Sequence, residues 1–291
     1  MTFAGWSLDP FWLPLVVGAA AAAILAARTA RPRSPHPRWR LIALLSGLLA
    51  ILLATVTPIE HLGNQVLWVN FLGFLLLTMV APPLILLGAP LTLAFRAAAP
   101  SQRRRLRALY RSRIAAALTF PVFTWLVFAV VTYLWQFTRL TELAARDPIL
   151  RDLQQFTLLL VGLLFWLPAV ATDPHRWRLP YPLRALYVLL EMTHKALFGG
   201  MFLSMNAAMH RHFAENAPAW APDPLLDQRM AILVLWLGGN LIFVAALIAI
   251  VVGWIRYEQR NQRRVDYRLA LQREAERRRR AALEQIFQRP V

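Results

Sequence analysis

Residues 66–90, VLWVNFLGFLLLTMVAPPLILLGAP, decide how the rest of the chain is read. The 23 residues from Val66 to Gly88 carry no charge. At about 1.5 Å per helical residue they are long enough to cross a hydrocarbon core of about 30 Å. The stretch predicts a membrane-spanning helix. Pro82 and Pro83 have no backbone N–H, so the carbonyls of Thr78 and Met79, four residues earlier, lose their helical donors. In lipid those oxygens need a partner, which sets the kink against other helices or against the Thr78 hydroxyl.

Composition extends this reading to the whole chain. Of 291 residues, 58% are hydrophobic and 16% charged, and 32 Lys and Arg against 15 Asp and Glu give a net charge of +17. The charges lie in blocks between long apolar runs, which predicts an all-α, polytopic membrane bundle. The absence of cysteine excludes disulfides, thiolate metal sites and dithiol redox chemistry, so any soft metal ligand is Met or His.

Apolar runs at residues 11–27, 41–57, 66–88, 114–136, 153–172, 185–209 and 230–255 make seven spans. No Lys or Arg precedes Arg28, whereas a secretory signal carries its positive charge ahead of the apolar run, so the first block reads as an anchor. Alternate connections differ sharply in positive charge. The first, third and fifth connections and the tail from Arg256 onward hold 26 basic residues, and the remaining connections with the N-terminus hold 5. The positive-inside rule then puts the N-terminus outside and the C-terminus in the cytoplasm. The expected domains are a seven-helix unit, 1–256, and a basic helical tail, 257–291. Arg277 to Arg280 are consecutive, but aromatic residues for stacking bases are nearly absent beside them. The tail therefore predicts contact with membrane lipid and no nucleic-acid binding.

Two constellations lie within the spans. Glu191, His194 and Lys195 fall on span six, where ionisable groups are costly and suggest function. Glu191 and Lys195 stand at i and i+4 and can neutralise each other with no outside task, while a proton or ion path usually needs charges from more than the one helix that supplies them here. Met201, Met205 and Met209 would share one helical face, with His210 and His212 following. Thioether and imidazole groups suit Cu(I), and methionine is also common core filler.

The chain resembles the CtaG family of multi-spanning bacterial cytochrome c oxidase assembly proteins. Residues 57–90, TPIEHLGNQVLWVNFLGFLLLTMVAPPLILLGAP, are similar to its helix ending A-P-P-L-x-x-L-G-x-P, which includes Pro82 and Pro83. Residues 153–168, LQQFTLLLVGLLFWLP, resemble its G-L-L-F-W-x-P helix, and residues 227–236, DQRMAILVLW, the D-Q-x-x-A-x-x-x-x-W start of its last span. Asp227 and Gln228 are thus retained. The resemblance expects histidines at five further positions, occupied here by Asn70, Phe74, Gln136, Arg151 and Gln155. It implies an outer metal or haem-related site at those helix ends, and phenylalanine, guanidinium and amides do not suit Cu(I).

The resemblance implies an assembly factor in oxidase maturation, acting as scaffold or chaperone toward oxidase subunits or other assembly factors. No cofactor is implied except copper, for which Met205, Met209 and His210 remain as ligands. The alternative is a small-solute or metal-ion transporter using Glu191, His194 and the Met face. No nucleophile with a base, nucleotide loop or complete metal motif points to an enzyme.

Overall fold

The computed structural model describes residues 2–3, 6–7, 9–29, 36–170, 172–173, 176–207 and 209–287. Of the positions used in the charge count, Arg31, Arg33 and Arg289 lie outside the described residues. A two-residue antiparallel pair, Thr2–Phe3 with Trp6–Ser7, precedes an otherwise helical chain. Each apolar run becomes helix: α1 (Trp12–Thr29), α2 (Arg38–Thr55), α4 and α5 (Leu67–Leu75, Ala81–Leu87), α9 (Pro121–Phe137), α11 (Pro148–Val170), α12 (Tyr181–Leu203), and α14 (Pro224–Leu233) leading into α15 (Gly239–Phe287). Short helices fill the connections: α3 (Pro58–Gly63), α6 (Pro90–Ala97), α7 (Pro100–Tyr110), α10 (Leu140–Arg146) and α13 (Arg211–Asn216); the fourth run, 114–136 by sequence, is not one helix but α8 (Arg113–Leu118) and α9, broken ahead of Pro121.

Among the described residues, five helical runs are long and apolar enough to cross a membrane: Trp12–Thr29, Arg38–Thr55, Leu67–Leu87, Pro148–Val170 and Pro224–Gln262. Residues Pro121–Gln136 join that group only together with α10 across a 65° bend, giving up to six. Helix α12 has 23 residues but carries Arg184, Glu191, His194 and Lys195, and it is not among the five. By sequence this span extends to Met209; the helix instead ends at Leu203. The Ser204 hydroxyl donates to the Met201 carbonyl at 2.7 Å, and residues beyond it are taken up by partners on other helices. The chain separates into two compact units, Met1–Ala245 and Ala246–Val291. Of the tail, residues 257–287 are helical and 288–291 lie outside the described residues.

The interior of the first unit is organised by close backbone approaches. A Cβ on Gly47 of α2 would lie 2.9 Å from both the Ala81 carbonyl oxygen and the Ile85 nitrogen, so only hydrogen lets α2 sit this near α5. The double proline is absorbed by a π-turn at Leu76–Val80, in which the Ala81 N–H donates to the Leu76 carbonyl. Thr78 then has proline at both i+4 and i+5, and its carbonyl accepts instead from the Trp166 indole N–H of α11 at 3.0 Å. The freed oxygen is thus met by another helix. The Thr78 hydroxyl donates elsewhere, to the Phe74 carbonyl at 2.7 Å. One turn before Trp166, a Cβ on Gly162 would come within 2.9 Å of Pro82 Cγ and 3.1 Å of the Thr78 carbonyl oxygen, so the glycine permits the approach that the indole bond needs. A-P-P and G-L-L-F-W are therefore two halves of one contact.

Candidate functional site

Two buried carboxylates cap helix starts, Asp227 beside the site and Asp173 at the far end of the Leu67–Leu87 run. Val66 precedes α4 and offers no side-chain cap, and Asp227 of α14 replaces it by accepting from the backbone N–H groups of Leu67 at 2.8 Å and Trp68 at 2.9 Å. Ala89 precedes α6 in the left-handed region, φ 52°, and likewise offers no cap. There Asp173 accepts from the N–H groups of Leu91 at 3.1 Å and Thr92 at 2.9 Å, and from the Thr92 hydroxyl at 2.5 Å. Asp227 is legible as a motif residue. Asp173 was missed: its partners lie 81 and 82 positions earlier, and its one signal is an acidic residue in an otherwise basic connection. Gln228, next to Asp227, accepts from the Met209 N–H at 2.9 Å.

Between the start of α4, the end of α9 and the start of α11 lies a small cavity of about 40 Å³. Asn70, Phe74, Gln136, Arg151 and Gln155 all line it, so the five positions at which histidine is expected do converge. Glu60, Asn64 and Gln154 complete its polar wall. The Arg151 guanidinium donates to Glu60 at 2.5 Å and to the Ala145 carbonyl at 3.2 Å, while Asn64 donates to the same Glu60 oxygen at 3.1 Å. Asn70 donates to the Gly63 carbonyl at 3.0 Å, and Gln154 to the Thr141 hydroxyl at 3.3 Å. Gln136 is 1% exposed, and neither its amide oxygen nor its nitrogen has a protein partner among the described residues. The cavity holds about one to three waters and is far smaller than the roughly 300 Å³ at which small-molecule pockets begin. The wall offers amides, one ion pair and a phenyl ring.

The Met face does not form. Because α12 ends at Leu203, Met205 and Met209 lie in the following non-helical segment and share no helical face with Met201. His210 is buried, its Nε2 3.0 Å from the Gln136 carbonyl oxygen and its Nδ1 3.9 Å from Glu142. Burial holds its pKa below the ordinary imidazole value, against the opposing pull of Glu142 and the Gln136 carbonyl. His212 lies 3.1 Å from the Asn64 carbonyl oxygen and 3.4 Å from the Arg146 Nε. No group of three or more His, Cys, Asp or Glu suited to a metal ion occurs among the described residues. These two histidines tie α13 and its approach to the rim of the cavity.

Deeper in the bundle, the expected neutralisation of Glu191 by Lys195 is not made at ion-pair distance. Glu191 Oε1 instead meets the His194 Nδ1, one residue nearer, at 3.1 Å. The Lys195 amine lies 5.1 Å from the centre of the Phe243 ring and near the backbone at Gly239, which draws it away from Glu191. Glu191 Oε2, His194 Nε2 and Lys195 Nζ are buried without a hydrogen-bond partner among the described residues, and Trp125 and Tyr133 rings flank the imidazole at 5.2 Å each.

A multi-span helix bundle with a polar cavity at one end, and with buried carboxylates capping its helix starts, is the class these features define. Within it, the chain belongs to the cytochrome c oxidase caa3 assembly factor family, whose model matches residues 21–257. It is 28% identical over 248 residues to the uncharacterized protein ML1998 of Mycobacterium leprae, covering 82% of this chain and 38% of that protein. It is also 29% identical over 239 residues to the uncharacterized protein Mb0105 of Mycobacterium bovis, covering 79% and 36%. The chain thus spans less than two-fifths of the length of these relatives. No solved structure matches it.

Proposed function

We propose that the chain is a non-catalytic scaffold of oxidase maturation in the bacterial inner membrane. In this reading it has seven spans, an outer N-terminus and a cytoplasmic C-terminus, with α9 and α12 completing the set. The polar end of the bundle, framed by α3, α10 and α13, faces outward and receives an oxidase subunit or another assembly factor. The observation that carries this reading is the cavity wall: the positions expected to hold histidine meet at one place, yet supply amides, a phenyl ring and a paired guanidinium. Such groups hold shape and offer hydrogen bonds to a partner's backbone; they are poor Cu(I) ligands.

The purified protein should accordingly take up Cu(I) only weakly. Replacing Met205, Met209 and His210 with Leu, Leu and Gln should remove what binding there is. Copper content after dialysis against a graded Cu(I) chelator reads this out, and tight stoichiometric binding that survives the triple replacement contradicts it. A second reading, a small-solute or metal-ion transporter, draws on the unpartnered buried atoms of Glu191, His194 and Lys195. It predicts altered cellular metal or solute content on deletion, which the scaffold does not.

A further inference from the structure

At the opposite end of the first unit, an open hollow of about 770 Å³ is lined by α1, α2, α6 and α7. Its walls are built of small side chains: Ala19, Ala22, Ala23 and Ala26 share one face of α1, and Pro90, Ala94 and Ala97 come from α6. Leu44, Leu48, Ile85 and Leu93 make the floor, where Ala23, Leu44 and Leu93 form a buried apolar cluster. Larger residues on facing helices would interdigitate; alanine on both walls leaves a groove within the size range of small-molecule sites.

One end of the groove is cationic. Helix α7 is held across it by Arg103, which donates to the Ala98 carbonyl at 2.8 Å and the Arg96 carbonyl at 3.0 Å. Gln102, also held, accepts from the Ala99 N–H at 3.0 Å. So fixed, α7 brings Arg105 to the mouth of the groove, where it is exposed and has no hydrogen-bond or ion-pair partner among the described residues. Arg104 and Arg107, its neighbours on the helix, are exposed as well. An apolar slot ending in a free guanidinium matches an anionic amphiphile. An apolar partner helix would leave the guanidinium unmet.

We propose that this groove is a binding site for an anionic phospholipid, with an acyl chain against the alanine walls and the phosphate at Arg105. The site is separate from the polar cavity, and its occupancy does not depend on the scaffold reading. Its role is to cover the exposed alanine faces of α1 and α6 along the groove.

The test uses the full chain, delipidated in detergent and placed in nanodiscs or mixed micelles of phosphatidylglycerol or phosphatidylcholine, with retained lipid counted by native mass spectrometry. Phosphatidylglycerol should be retained in preference to phosphatidylcholine. Arg105→Gln should weaken that retention about fivefold, the effect of one basic residue at an anionic surface. Ala94→Phe fills the groove without changing any charge, and should abolish retention while the helical circular-dichroism signal stays at the wild-type level. Ala94→Gly, which leaves the groove open, controls for a folding defect. Equal retention of the two lipids overturns the site, as does undiminished phosphatidylglycerol in Ala94→Phe, which would trace it to the basic tail. A co-purifying polypeptide in the groove with no phospholipid retained also overturns it.

Discussion

Asp227→Ala is expected to destabilise the bundle by about 1–3 kcal/mol or more, because the buried Leu67 N–H and the partly buried Trp68 N–H lose their acceptor and an unsatisfied buried group costs about 1–3 kcal/mol. That is a large share of the roughly 5–15 kcal/mol that holds a typical domain folded. The carboxylate does for α4 what an N-cap residue normally does, but from a helix 160 positions later in the chain. Its loss therefore frees the start of α4 and the contact between α4 and α14 together. Asp227→Asn keeps one carbonyl oxygen as acceptor and should fall between wild type and alanine. Thermal unfolding of the detergent-solubilised protein separates the three. An alanine variant as stable as wild type would mean that Leu67 and Trp68 find other acceptors.

Gly162→Leu should leave almost no folded protein, since its side chain would enter the space held by Pro82 Cγ and the Thr78 backbone, none of which is a flexible side-chain end. The finer test is the indole bond across the same contact. Trp166→Phe strands the Thr78 carbonyl and should cost about 1–2 kcal/mol. Pro82→Ala gives that carbonyl a local donor again, so in its background Trp166→Phe should cost less. Strict additivity in this double-mutant cycle would show that proline and tryptophan are not coupled through the Thr78 oxygen.

How far this was legible in sequence differs between backbone and side chains. The 23-residue uncharged stretch and its paired prolines announced a long apolar helix with a stranded carbonyl, because proline's missing N–H acts on a fixed neighbour four residues away. That the partner is Trp166 was not legible, since the contact spans 88 positions. The convergence of Asn70, Phe74, Gln136, Arg151 and Gln155 came from a resemblance, and the cavity they line is where that expectation meets geometry. Local spacing misled at the end of α12: Met205 and Met209 fit a helical period, but Ser204 closes the helix and Gln228 takes the Met209 N–H. Spacing also overstated the Glu191 and Lys195 pair, where the Phe243 ring takes the amine and His194 the carboxylate. Tertiary partners outweighed helical periodicity in both places.

Membership in an oxidase assembly family and a cavity walled by amides are the grounds for the proposal that the chain supports oxidase maturation with at most weak copper binding. Assembled terminal oxidase in membranes of a strain lacking the gene, quantified by haem difference spectra and native gels alongside its transcripts, tests this most directly. The account predicts a clear fall in assembled oxidase at unchanged transcript levels, with no recovery on added copper. Normal oxidase in a deletion strain that has no related protein, or full recovery with copper alone, would contradict it.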